Sequence, residues 1–230
     1  QLDATDLVKL SQIVESLRPS RIINCLGLTS VEECEERPEA SWKLNTEIPI
    51  VLSRLSMKVS AQFVQISTDH FSSDVKALRS ESSVMNAVNH YGFTKLAAEN
   101  TILQENPNVL ILRTNFFGYS NKVDKSILNF AINSFRSNQH INGFEDVFFN
   151  PVGINEISNF LINKLSEQIS GLLNFASENP ISKYDFLILV GQMMGFSGKN
   201  VAKSSIMNST LTVQRPNYLA LDPARLSNDL

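Results

Sequence analysis

No apolar run in these 230 residues approaches the roughly 20 needed to cross a bilayer; the longest, such as residues 186–190, are of core length. The start carries no signal-peptide pattern. Cysteine is scarce. Cys25 and Cys34 stand nine positions apart, without CxxC spacing and without a histidine nearby, too few ligands for a zinc site. A disulfide between them would need a loop to bring them together, so two reduced thiols in a cytoplasmic protein are expected. Positive charge is not in excess: 20 Lys and Arg stand against 23 Asp and Glu, a net charge of −3, which argues against a nucleic-acid partner. Internal repeats and low-complexity linkers are absent too. The chain also lacks an initiating methionine, opening on Gln1 and running straight into patterned sequence, so it is expected to be part of a longer protein.

What is present is a core-forming composition, 43% apolar and 19% charged. That suits one large domain, or a large one with a small lobe. Thr5 or Asp6 can cap a helix whose stripe is Leu7, Leu10, Ile13, Val14 and Leu17, stopped near Pro19. Residues 21–25 read as a short buried strand, 38–57 as a helix carrying Trp42, Ile48, Leu52 and Leu55, and 62–67 as a second strand. Residues 69–90 lack a period and read as loop. Helix is expected at 91–105 and strand at 109–113. Further on, helices are expected at 125–135, 155–167 and 182–194, the last capped by Ser182, and strands at 146–149 and 172–176. Helix alternating with short apolar strand predicts an α/β fold with a parallel sheet covered on both faces. Such sheets bind ligands beyond the carboxyl ends of their strands, here just after Ile23, Ile66 and Leu112. A change of spacing places a boundary near Phe116, giving a domain over 1–115 and a lobe over 116–230 that returns some elements to the main sheet.

Tyr91 and Lys95 stand four apart at the head of a helix and share a face. A free phenol has a pKa of about 10, and an adjacent ammonium lowers it by stabilising the phenolate. Tyrosine can then serve as general acid towards a carbonyl that receives hydride. By composition such a pair arises in about one chain of this kind in five, and on an exposed helix it is worth a few tenths of a kcal/mol. Ser67-Thr68-Asp69 closes the preceding strand, where a hydroxyl could bond the same carbonyl oxygen or merely satisfy strand-end backbone. The acidic run Glu32, Glu33, Glu35 and Glu36 reads more readily as a solvated helix face than as a partner or metal site.

Here a resemblance becomes specific. Ser67-Thr68-Asp69 followed by Asn89-His90-Tyr91-Gly92-Phe93-Thr94-Lys95-Leu96-Ala97-Ala98-Glu99 resembles the STD…NxYGxTKLxxE signature of the dTDP-4-dehydrorhamnose reductase family, among the extended short-chain dehydrogenase/reductases. Asn24 to Gly27, Thr29-Ser30-Val31-Glu32, Glu35, Pro38-Glu39 and Asn45 follow another family run in order and spacing. Leu112-Arg113-Thr114-Asn115-Phe116-Phe117-Gly118 is similar to a family strand end, and Phe149-Asn150-Pro151-Val152, Gly171 to Phe175 and Arg215-Pro216 fall where the substrate lobe has comparable stretches.

The resemblance implies a Rossmann-type doubly wound parallel sheet, lacking the family's first βαβ unit with its Gly-rich turn, and a smaller α/β substrate-binding lobe. It implies a catalytic set of Thr68, Tyr91 and Lys95. Cofactor contacts, to NADPH or NADH, would come from Asp3, Asn24, Cys25, Leu26, Gly27, Asn45, Ser67, Tyr91, Lys95, Thr114 and Asn115. Asp69, His70, Phe116, Asn150 and Arg215 would face a nucleotide sugar, and no metal is implied. Several of these have plain structural readings as well: Asp3 as a helix start, Asn24 as a strand-end cap, His70 as a satisfied surface histidine, Phe116 as core and Arg215 as a turn residue before proline. After Asp69 the family's Tyr-Val-Phe-x-Gly gives way to His70-Phe71-Ser72-Ser73-Asp74, so the family's sugar preference is not carried over; a tryptophan near Phe116 and a proline two before Asn89 are also missing.

The function implied is NAD(P)H-dependent reduction of a nucleotide-linked 4-keto-6-deoxy sugar for surface polysaccharide synthesis in the cytoplasm. Two other readings stay open: a dehydratase or epimerase of the same superfamily, and a non-catalytic regulatory subunit on the same fold, as in the β-subunit of methionine adenosyltransferase. The sequence is silent on oligomeric state, a homodimer being one open outcome.

Overall fold

The computed structural model describes residues 3–72, 77–120, 126–164, 167 and 169–229. The first half runs helix α1 (Leu7–Leu17), strand β1 (Arg21–Asn24), helices α2 (Val31–Glu36), α3 (Pro38–Trp42) and α4 (Ile48–Lys58), strand β2 (Gln62–Ile66), helix α5 (His90–Glu105) and strand β3 (Val109–Thr114). The second half begins with β4 (Phe116–Phe117), α6 (Ile127–Arg136), β5 (Ile141–Phe144), β6 (Phe148–Phe149) and β7 (Val152–Gly153). It ends with α7 (Ile154–Lys164), β8 (Gly171–Phe175), β9 (Ile181–Ser182), α8 (Lys183–Met193), β10 (Val201–Ser204) and α9 (Ala224–Asp229).

Strands β1, β2, β3 and β8 lie side by side in that order, all parallel, with Ile23 beside Val64, Val64 beside Leu110 and Leu110 beside Gly171. Because side chains alternate along a strand, β2 and β3 feed two cores. Phe63, Val109 and Ile111 pack on Leu10 and Val14 of α1, on Ile48, Leu52 and Leu55 of α4, and on Ala98 and Ile102 of α5. Val64, Leu110 and Leu112 face the other way, onto Ile157 and Phe160 of α7 and Leu226 of α9. A sheet buried on both faces explains why these strands read as continuous apolar runs. A third core, built on Phe135, Phe149, Phe186, Leu187 and Val190, joins α6 and α8 to the paired strands β5 and β10.

Local chemistry sets the helix starts. Asp6 caps α1 by accepting from the Lys9 amide at 3.0 Å, and Ser182 caps α8 through the Asp185 amide at 2.9 Å. The expected helix over 38–57 is continuous, but it passes through a π-helical turn at Lys43–Glu47. That turn faces α5: Thr46 donates to the Thr94 carbonyl at 2.7 Å, and Asn45 donates to the Thr94 hydroxyl at 3.2 Å. Trp42, carried by that helix, stands 42% exposed against the ring of Phe93.

Other expectations shift. The strand expected at 146–149 shortens to β6, because Val147 already serves the core of the small lobe and accepts the Lys183 amide. Helix α2 and strands β5 and β10 were not foreseen; each is six residues or fewer, too short to show a period, and Gly143 interrupts β5. Lys125, the expected start of α6, lies outside the described residues, as do Ser73, Asp74 and residues 165–166. The four-glutamate run lies on α2 with Glu35 and Glu36 exposed, as a solvated face would be, while Glu32 pairs with Arg215, Glu33 with Arg37, and Glu35 accepts the His90 amide at 2.7 Å. Cys25 and Cys34 are both free thiols.

One polar linkage crosses the first core. Arg113 of β3 meets Glu99 of α5 at 2.7 Å with side chains only 5% and 1% exposed, and Glu99 also accepts the Ser67 hydroxyl at 2.5 Å. Removing one partner of a buried pair strands the other's charge. Arg113→Leu is expected to lose about 3–5 kcal/mol of stability. The double variant Arg113→Leu/Glu99→Leu should recover most of it. Urea unfolding of the three proteins checks this, and a double variant no better than the single would contradict it.

Candidate active site

The carboxyl ends of β1, β2 and β3 open into a cleft of about 710 Å³ whose far wall comes from α6, β5 and the start of α8. Helix α5 delivers the key side chains because its first turn is held tightly. The Asn89 side-chain oxygen caps it through the Gly92 amide at 2.9 Å, while its amide group donates to the Gln214 carbonyl at 2.9 Å and lies 3.0 Å from His70 Nε2. Gly92 allows this approach, since a Cβ there would stand 3.0 Å from the His70 carbonyl oxygen. Tyr91 and Lys95 thereby line the cleft opposite Ser67, Thr68, Asp69 and His70 at the end of β2.

Thr68 and Tyr91 line the same cleft, and the Thr68 hydroxyl accepts the His70 amide at 3.1 Å. The Lys95 ammonium donates to the Ile66 carbonyl at 2.8 Å, tying α5 to the last residue of β2. The expectation that Lys95 would lower the Tyr91 pKa is overturned. Burial dominates and, against a lowering influence from Thr68, pushes the phenol up to about 12, with Asp69 acting in the same direction. Burial likewise brings Lys95 down to about 8, against the pull of Glu99.

The loop after β1 contributes Cys25, Leu26 and Gly27 to the wall, and Asn45 supports it by accepting the Leu28 amide at 2.8 Å and donating to the Leu28 carbonyl at 3.0 Å. After β3 come Thr114, Asn115 and Phe116. Thr114 is 3% exposed and its hydroxyl has no hydrogen-bond partner, a buried polar atom that a bound group would satisfy. Arg215 reaches the cleft from the C-terminal segment with Glu32 beside it.

Three expected residues stand elsewhere. Asp3 is exposed and spends its carboxylate on the amide and hydroxyl of Thr5, at 2.9 and 2.8 Å. Asn24 is buried behind the wall, bonding Gln65 at 2.8 Å and the Leu26 amide at 3.1 Å. Asn150 is consumed by backbone: it donates to the carbonyls of Ser177 and Leu221 and accepts the Leu221 amide. A side-chain amide with all these bonds made has little left for a ligand.

The family model of the RmlD substrate binding domain matches residues 1–230. The chain belongs to that family. Its relatives include the dTDP-4-dehydrorhamnose reductase of Aggregatibacter actinomycetemcomitans, 27% identical over all of this chain and 79% of that protein. Among solved structures, a dTDP-4-dehydrorhamnose reductase from Clostridium acetobutylicum superposes with a TM-score of 0.90 at 26% identity, covering 98% of this chain and 80% of that one. A second, from Bacillus anthracis in complex with NADP, gives 0.89 at 24% identity over 99% and 81%.

Within this RmlD substrate binding domain fold, two residues that shape the site carry no signal in the sequence, one in the cleft wall and one behind it. Lys183, first residue of α8, lines the cleft more than 110 positions after Asp69. Arg79, 2% exposed, donates to the backbone carbonyls of Asp69, Phe71 and Ala220 and so sets the path of the segment after β2. No local pattern announces either; a polar residue in an aperiodic stretch and a lysine after a helix cap are ordinary. Around them, burial raises Asp69 to about 6, against Lys183 and a 2.8 Å bond from Asn115. Burial also lowers His70 to about 4, helped by Arg215, Lys183 and Arg79. His70 is thus neutral, with Nε2 accepting from Asn89.

An unfolded histidine takes up its proton below about 6.5, whereas His70 in the fold resists until about 4, so its contribution to stability rises as pH climbs from 4 to 6.5. Asp69 acts oppositely, holding in the fold a proton that the unfolded chain releases between about 4 and 6. The advantage of wild type over His70→Gln in unfolding free energy should therefore grow by about 2–3 kcal/mol across pH 4 to 6.5. A constant difference over that range in chemical denaturation would refute the assignment.

Proposed function

We propose that this chain is a cytoplasmic NADPH- or NADH-dependent reductase of a nucleotide-activated 4-keto-6-deoxy sugar, of the kind its relatives are named for. The observation that carries the reading is that Thr68, Tyr91 and Lys95 all line one cleft at the carboxyl ends of the strands. The solved relative from Bacillus anthracis holds NADP, and the orphaned Thr114 hydroxyl together with the loop at residues 25–27 suits a bound group of that kind here. When bound, a reduced nicotinamide supplies the hydride.

The protein's own residues do the rest. Thr68 orients the substrate oxygen. Tyr91 gives that oxygen its proton as negative charge builds on it; with a pKa near 12 the phenol is fully protonated at neutral pH, the form that reduction needs. An alkoxide is a much stronger base than a phenolate, so transfer stays downhill. The opposite reaction would need the phenolate, which the buried site disfavours. Lys95 keeps α5 seated on β2 and holds positive charge beside the reacting groups. Arg215 offers a guanidinium to phosphate oxygens at the cleft's rim, and Phe116, 46% exposed, offers a ring face to the sugar or base.

The test uses the full-length protein with NADPH and NADH, following cofactor absorbance as a dTDP-linked 4-keto-6-deoxy sugar is added. Tyr91→Phe and Lys95→Met should each cut turnover at least about 100-fold, the scale of losing a general acid or its support. A smaller loss in Tyr91→Phe would remove it from proton transfer. Cofactor binding with no turnover on any nucleotide-linked keto-sugar would replace the reductase reading with a regulatory one.

A further inference from the structure

Lys183 is costly where it stands. It is the first residue of α8, directly after the Ser182 cap, where the helix dipole opposes a positive charge. It is also partly buried, which disfavours the charged form and brings its pKa down to about 8. Its ammonium sits 3.2 Å from the centroid of the Phe149 ring, which covers one side, and it makes no hydrogen bond to any described residue. The open side belongs to the cleft wall. Asp69 lines the same cleft; its attraction works against Lys183's loss of charge, and one of its oxygens accepts from Asn115. The remaining titratable groups facing Lys183 are His70, held neutral, and Arg215, which has Glu32 at its side.

Fold stability does not call for this arrangement, because an apolar residue at Lys183 would pack on Phe149 without the dipole and burial penalties. Ligand recognition does. A carboxylate acceptor and an ammonium donor that line one cleft and balance in charge match two neighbouring hydroxyls of a neutral sugar: one donates to the carboxylate and the next accepts from the ammonium. We propose that Lys183 is a specificity-determining residue that, with Asp69, clamps adjacent hydroxyls of the hexose and so selects the sugar rather than the nucleotide. This rests on the reading of the cleft as a nucleotide-sugar site.

The probes are dTDP, which lacks the hexose, and dTDP-L-rhamnose, which carries it, titrated calorimetrically into full-length protein. Lys183→Met should weaken dTDP-L-rhamnose at least about 10-fold while changing dTDP less than about 2-fold, and it should unfold in urea no earlier than wild type. Asp69→Asn should show the same split between the ligands, which keeps the test alive if Lys183→Met does not fold. Equal losses for both ligands, or none, in the two variants overturn the clamp and leave the reductase reading standing. So does a Lys183→Met that is destabilised yet binds both ligands as wild type does. Wild-type protein that binds neither dTDP ligand nor UDP-glucose overturns the nucleotide-sugar site itself, and the clamp with it.

Discussion

Glu99 is the pivot of this molecule. From one face of α5 it accepts the Ser67 hydroxyl at the end of β2 and pairs with Arg113 on β3, almost without solvent. A charge pair in such surroundings is tolerated only in one geometry, since a shifted helix would leave two ions desolvated and unmatched. That constraint sets the height and rotation of α5 above the sheet. Four residues towards the amino end, Lys95 reaches the Ile66 carbonyl, and four further on Tyr91 lines the cleft with Thr68. Tyr91 and Lys95 are thus placed from behind, by the buried pair that Glu99, farther along α5, makes with Arg113.

Burial then does two things at once. It raises the Tyr91 and Asp69 pKa values and lowers those of Lys95, His70 and Lys183, so the cleft holds its groups nearer to neutrality than solvent would. A phenol kept protonated fits proton donation to a nascent alkoxide better than proton removal from an alcohol. The expected lowering of Tyr91 by its lysine neighbour is a sound principle, but it requires the ammonium to face the phenol more strongly than the phenol is desolvated. Here the ammonium is engaged by a backbone carbonyl.

The readable parts of the fold were those with local causes. The stripe of α1 with Asp6 before it, the cap–helix unit at Ser182 and the apolar β2 and β3 all follow from interactions within about ten residues. The Tyr91–Lys95 spacing was legible for the same reason. What escaped was set at long range. Asn150 looked like a substrate contact until its amide was found closing backbone bonds with Ser177 and Leu221. Asp3 looked like a cofactor contact but serves Thr5. Arg79 and Lys183 gave no signal, because their meaning depends on carbonyls and a ring supplied from distant segments.

By itself, then, the chain's order of residues determined the longer helices, the parallel strands of the main sheet, and which hydroxyl, phenol and ammonium would be available, since periodicity, capping and motif spacing are local properties. Only the tertiary structure decided which polar groups are spent on the backbone and which remain free in the cleft, and how far each pKa moves. Those outcomes depend on burial and on partners tens to over a hundred residues away, and no local pattern encodes them.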